Sequence, residues 1–323
     1  MILVRGFLLL LTICAPWSTV ATRSAGVPAR TFTHRTFSQS TVATRSAGVP
    51  ARTFTHRTIS QSTATALPLL TQKISRRASQ RFGYGGTVTI IGAPQGSIVV
   101  EGWQRNEVEV TAEIELQAAT EEDLRRLATV NGFVFDEDLN HVRILTTGTH
   151  DRTFMRRAVK NFPKKLLGLP WKIDYRIRVP LASDIEIDAG RGPIKVAGVE
   201  GALRLSATES ETELVLTGGT VNTVVAVGTV NVRIPVRSWR GAGAEIRLAR
   251  GALTVEVPTG FNGDIDVEIL RVGKIEDGTG GLEKRERPGI TERQVKARSG
   301  AGGAYFHFVV GDGTVTFKKL SSD

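Results

Sequence analysis

The chain has 323 residues, with 34 glycines, one cysteine and a formal net charge of +10 at pH 7. That length allows one large or two medium domains, and a single cysteine excludes disulfides within the chain and thiolate metal sites. Residues 1–100 hold 11 of the 42 Lys and Arg and no acid, leaving 31 bases against 32 acids in the remainder. The excess charge therefore belongs to the N-terminal segment, and a specific nucleic-acid interface is not expected on a nearly neutral body.

Residues 1–21 read as a signal peptide. Arg5 supplies the positive start, Phe7 to Ala15 an apolar stretch, and Thr19-Val-Ala21 a cleavage site. The stretch is too short to span a bilayer as a helix and Pro16 would interrupt it. Cys14 as a lipid-attachment site is disfavoured by the large Ile13 before it.

Residues 18–39 and 40–61 are a tandem duplication of 22 residues that differ only where Phe37 becomes Ile59. Ser, Thr, Ala and Arg dominate and no apolar period is present, so residues 22–82 are expected to be a disordered cationic linker. An organellar transit peptide and a start codon further downstream are the competing readings.

From Gly83 the texture changes. Residues 87–91, 97–101 and 107–115 alternate apolar and polar, as half-buried strands do. Thr120-Glu-Glu-Asp123 is a capping box that opens a helix of about three turns with Leu124, Leu127 and Ala128 on one face. Strands resume at 132–136 and 141–146. Residues 150–171 form a second excursion, with Phe154, Ala158 and Phe162 at helical spacing and Pro163 ending the helix. Ten short strands are expected between 172 and 269, then a mobile charged loop over 277–298. Strands at 305–310 and 314–317 close the fold.

A glycine, one small or polar residue and an aliphatic recur nine times, at Gly86, Gly96, Gly192, Gly201, Gly219, Gly228, Gly251, Gly263 and Gly313. A corner glycine followed by a short strand, repeated loosely, predicts stacked β-coils. The expected fold is all-β, a right-handed single-stranded β-helix or β-solenoid over 83–320 with one or two short helical excursions.

The pattern resembles a large bacterial family of "putative adhesin" domains, called auto-transporter adhesin-head-like, which has no assigned function. Residues 172–180, 184–188, 192–196, 198–201 and 219–221 carry the resemblance, with Gly300-Ala-Gly302 and residues 311–317 at the end. It covers roughly Gly85 to Lys318. The resemblance implies an exported or membrane-associated β-solenoid and no catalytic residues.

No P-loop, G-x-S-x-G or H-E-x-x-H sequence occurs, and no enzyme or cofactor is expected. Asp184, Glu186 and Asp188, then Glu209, Glu211 and Glu213, then Asp264, Asp266 and Glu268 form acidic ladders. Stacked, they suit a hard cation. Arg176, Arg178 and Arg204 on adjacent strands would instead neutralise them on a solvated face.

The sharpest candidate is the basic excursion. Arg152, Arg156, Arg157, Lys160, Lys164 and Lys165 face the single acid Asp151, with Phe154, Phe162 and Trp171 nearby. That composition suits an anionic lipid or polymer surface. The competing reading is a cap over an end of the stacked strands. Trp103, Trp239 and Tyr175 are expected to pack.

The expected protein is therefore a non-enzymatic, exported module for binding or scaffolding at the bacterial cell envelope. Its partner is an envelope or surface macromolecule. The alternatives are a membrane-surface module recruited by helix 152–162 and a polysaccharide-acting enzyme.

Overall fold

The structure is a computed structural model. It describes residues 69–320 apart from 139 and 286–288, so the segment expected to be a signal peptide and most of the expected linker lie outside the described residues. In chain order the elements are β1 (Leu70–Arg81), β2 (Thr87–Gln95), β3 (Ile98–Trp103), β4 (Glu107–Ala118), α1 (Glu121–Val130), β5 (Gly132–Asp138) and β6 (His141–Thr147). After α2 (Arg152–Ala158) and a 3-10 turn at Lys164–Leu166 come β7 (Trp171–Pro180), β8 (Asp184–Arg191), β9 (Ile194–Ala197), β10 (Ala202–Val215) and β11 (Gly218–Arg233). The last are β12 (Arg240–Val257), β13 (Gly263–Asp277), β14 (Leu282–Lys284), β15 (Gln294–Ser299) and β16 (Tyr305–Lys319). The protein is all-β, with one large open sheet.

Alternation sets the core. Val142, Val88, Ile185, Leu203, Val221, Ala244, Phe306 and Ile265 are cross-strand neighbours in one unbroken inward row over eight parallel strands. All eight are buried. Each fully buried aliphatic or aromatic side chain contributes about 1.5–3 kcal/mol.

Pairs of short strands expected from the sequence are joined into long ones. The halves expected at 222–226 and 230–234 fall in β11, the second but for Ile234, and those at 245–248 and 253–257 within β12. A column of glycines explains this. Gly273 stacks on Gly313, Gly313 on Gly251 and Gly251 on Gly228, with φ between +138° and +152°. Each bends its strand at a corner while cross-strand pairing continues on both sides.

Spatial order departs from chain order at both ends of the parallel ladder. β16 lies between β12 and β13, parallel to both. β2 lies between β6 and β8, and β3 between β7 and β9. Antiparallel strands flank this centre, β4 and β1 beyond β7, β5 beyond β6, and β15 and β14 beyond β13.

Three expectations are corrected here. The linker expected over 22–82 gives way to β1, which pairs with β4 from Leu70↔Ala118 to Arg81↔Glu107. Lys73 pairs with Glu115 and Arg77 with Glu109, so a mostly exposed polar sequence is held by a partner 26 to 48 residues away. The loop expected over 277–298 contains β14 and reaches into β15. The helix expected to run to Phe162 stops at Ala158, because Val159 and then Asn161, at φ 63°, leave helical geometry.

Candidate functional site

The excursion between β6 and β7 is anchored from within. Asp151 caps α2, its carboxylate accepting from the backbone N–H of Thr153 at 2.8 Å and of Phe154 at 3.0 Å. The bond from Phe154 leads in holding that carboxyl below the usual aspartate range. Met155 and Leu166 are buried, and Phe162 and Leu169 pack against the core.

The six expected contact residues divide. Lys165 is engaged by Asp123 of α1 at 3.0 Å, and this bond is the main cause that lowers the Asp123 pKa. The other five, Arg152, Arg156, Arg157, Lys160 and Lys164, are exposed and make no ion pair with a carboxylate among the described residues.

Several cations elsewhere contrast with these, although Arg176 on β7 also makes no ion pair among the described residues. Arg204 pairs with Glu186 at 3.7 Å, Arg191 with Glu209 at 3.3 Å and Lys195 with Glu213 at 3.0 Å. Arg298 reaches Asp264 at 2.8 Å, and Arg285 reaches Asp266 at 2.7 Å. Five of the nine ladder carboxylates, Glu186, Glu209, Glu213, Asp264 and Asp266, are thus met by bases, and Asp184 accepts from the Ala202 backbone N–H. Among the described residues no group of three His, Cys, Asp or Glu is placed to hold a metal ion.

An open groove of about 810 Å³ runs beside α2. Its floor is a cross-strand row of Val134, Leu145 and Ile91 on the outward face of β5, β6 and β2. Val134 and Ile91 are 46% and 40% exposed, and the outward positions beside the row, Asp136, Arg143, Thr89 and Asp188, are polar. Phe154 forms one wall, and Arg152 and Arg157 stand at the rim. This row was missed in the sequence. Its signal is the doublets Ile90-Ile91 and Ile144-Leu145, since in an alternating strand one of two adjacent aliphatics must face outward.

His150 separates this groove from a second of about 540 Å³, lined by Leu167, Leu169 and Trp171. Its ring lies 5.3 Å from that of Trp171, and desolvation holds the imidazole below the usual histidine range.

A third, polar groove of about 820 Å³ lies over β4, β7 and β3 and reaches Arg191 at the end of β8. Its charges are largely engaged internally. Asp174 accepts from the Ser97 backbone N–H at 2.7 Å and hydroxyl at 2.8 Å, and Lys172 approaches it at 3.4 Å. Glu109 faces both Arg77 and Arg178. Tyr175 and Trp239 pack, with the Tyr175 hydroxyl bonded to Thr146 and the Trp239 indole N–H donating to the Gly219 carbonyl. Trp103 is half-buried between Arg105 and Arg178. No helix among the described residues is long and apolar enough to cross a membrane.

No family model and no curated protein matches the chain. Similar solved structures include a "putative cell adhesion protein" from Clostridium sporogenes ATCC 15579, 12% identical, with a TM-score of 0.43 over 76% of this chain and 100% of that one. A "putative adhesin" from Bacteroides fragilis NCTC 9343 is 10% identical, with a TM-score of 0.32 over 76% of this chain and 97% of that one. A "putative adhesin" from Parabacteroides distasonis ATCC 8503 is also 10% identical, with a TM-score of 0.25 over the same shares. These three similar structures thus carry adhesin or cell-adhesion names.

Proposed function

We propose that the protein is a non-enzymatic binding module, a right-handed solenoid of stacked coils exported to the bacterial cell envelope. The observation that carries this reading is the inward row from Val142 to Ile265, which ties eight parallel strands into one ladder. Such a ladder has its internal backbone groups paired and presents broad faces whose charges are paired across strands. Contact with a macromolecule would be spread over many side chains.

The test begins with the native protein recovered from fractionated source cells. A mature N-terminus near residue 22 in an extracytoplasmic fraction is the expected result. An uncleaved chain in an internal compartment overturns the envelope assignment.

A second reading, recruitment to a membrane surface through the basic excursion, is favoured by the five cations without ion-pair partners. The polysaccharide-acting reading needs free carboxylates in a groove. It is supported less well, because Asp174 and Glu109 of the polar groove are held by Ser97, Lys172, Arg77 and Arg178, which leaves Glu113 as a single carboxylate there without an ion pair among the described residues, where such chemistry uses two.

A further inference from the structure

Two explanations compete for the excursion between β6 and β7. A cap over the strand ends accounts for what points inward, namely Met155, Leu166, Phe162 and Leu169. It does not account for what faces water. The Val134–Leu145–Ile91 row lies in an open groove rather than under a lid, although a helix carrying Phe154 stands directly beside it. Arg152 and Arg157 at that groove make no ion pair among the described residues, although Asp151 also lines it and attracts Arg157 at longer range, whereas Arg191, Lys195 and Arg204 on the strands are paired. An apolar floor whose rim carries two arginines against the one carboxylate Asp151, within an excursion of net positive charge, is complementary to a ligand that is apolar on one side and anionic on the other.

We propose that this groove and its rim bind the anionic lipid of a bilayer surface. The row Val134, Leu145 and Ile91, with Phe154, receives acyl-chain surface. Arg152 and Arg157 at the rim hold the headgroup phosphate. Arg156, Lys160 and Lys164 lie further along the same excursion and meet neighbouring headgroups. The proposal rests on the second reading above and names its partner. A free polyanion is disfavoured because it would leave the aliphatic row exposed.

Each Lys or Arg brought to an anionic surface strengthens binding about fivefold. Residues 1–68 carry seven arginines and no acid, so a comparison between variants of the full chain is needed. The measurement is sedimentation with phosphatidylcholine vesicles, with and without phosphatidylglycerol, at low and high salt. The wild type is compared with Arg152→Glu/Arg157→Glu and with Ile91→Asn/Val134→Asn. Every altered side chain is at least partly exposed, and a melting curve confirms that each variant folds.

The expected result is salt-sensitive binding to the anionic vesicles, weakened more than about 25-fold by the charge reversals. The Asn pair should weaken vesicle binding while leaving binding to inorganic polyphosphate unchanged. Vesicle binding unaltered by the charge reversals overturns the proposal, as does a wild type that does not bind. An Asn pair without effect assigns the patch to charge alone and overturns the lipid assignment. A protein found in the envelope fraction that fails these tests removes this proposal and leaves the scaffold reading standing.

Discussion

Gly313 lies directly against Gly251, so that a Cβ on Gly313 would overlap the carbonyl oxygen of Gly251. The same pair sits in register between β12 and β16, midway along the glycine column. Both residues have positive φ, +152° and +143°.

Gly313→Ala therefore meets two penalties, a backbone conformation that L-residues avoid and a steric overlap with a neighbouring main chain. The expected cost is about 3 kcal/mol or more. Gly168→Ala, where no atom lies within 4 Å of the new Cβ, should stay within about 0.5 kcal/mol. Urea unfolding of the two variants beside wild type checks this. Equal midpoints would contradict the corner column.

Phe306 sits at the junction of β12, β16 and β13, with ring centroids 5.4 Å from Trp239 and 5.3 Å from Phe261. Phe306→Ala should cost about 3–5 kcal/mol. Truncation after Gly303 removes the strand that separates β12 from β13. Hydrogen exchange should then show β12 and β13 losing protection together, while β2 and β8 keep theirs.

Asp174 is pulled two ways. Burial raises its pKa, but the two Ser97 donors and Lys172 outweigh it and hold the carboxyl below the usual range. A depressed carboxylate stabilises the fold above its unfolded pKa and loses that contribution as pH falls through the folded value. Asp174→Ala should cost about 1–3 kcal/mol near neutral pH. The gap from wild type should close as pH drops below the ordinary aspartate range. A gap unchanged down to strongly acidic pH would contradict the assigned ionisation.

His150 is held down by desolvation, against a smaller opposing pull from Asp151. Its folded pKa lies below its unfolded one, so its contribution to stability is present above the unfolded value and is lost as pH falls through the folded value. In an NMR titration, His150 should protonate below the ordinary histidine range near 6.5. The Trp171 resonances should move with it, given the 5.3 Å ring separation. A His150 titrating above that range would contradict the geometry.

Local features were legible where local chemistry decides them. Thr120 caps α1 as read, its hydroxyl accepting from the Asp123 backbone N–H at 3.1 Å. The basic excursion was legible as a composition, but the engagement of Lys165 by Asp123 was not, since it joins residues 42 apart. The aliphatic floor of the groove escaped notice for a similar reason. Val134, Leu145 and Ile91 come from three strands, and only the pairing of β5 with β6 and of β6 with β2 makes them neighbours.

By itself the sequence determined which side chains face inward and where strands bend. Period-two alternation and glycine at the corners are properties of each residue and its immediate neighbours. The tertiary structure alone decided the order in which strands lie. β16 enters between β12 and β13, and β1 joins β4, through hydrogen bonds and ion pairs between distant segments. An alternating strand presents the same backbone donors and acceptors to any partner. Its own residues state that it will pair, while the choice of neighbour depends on which assembled arrangement buries Phe306 and neutralises Glu109 best.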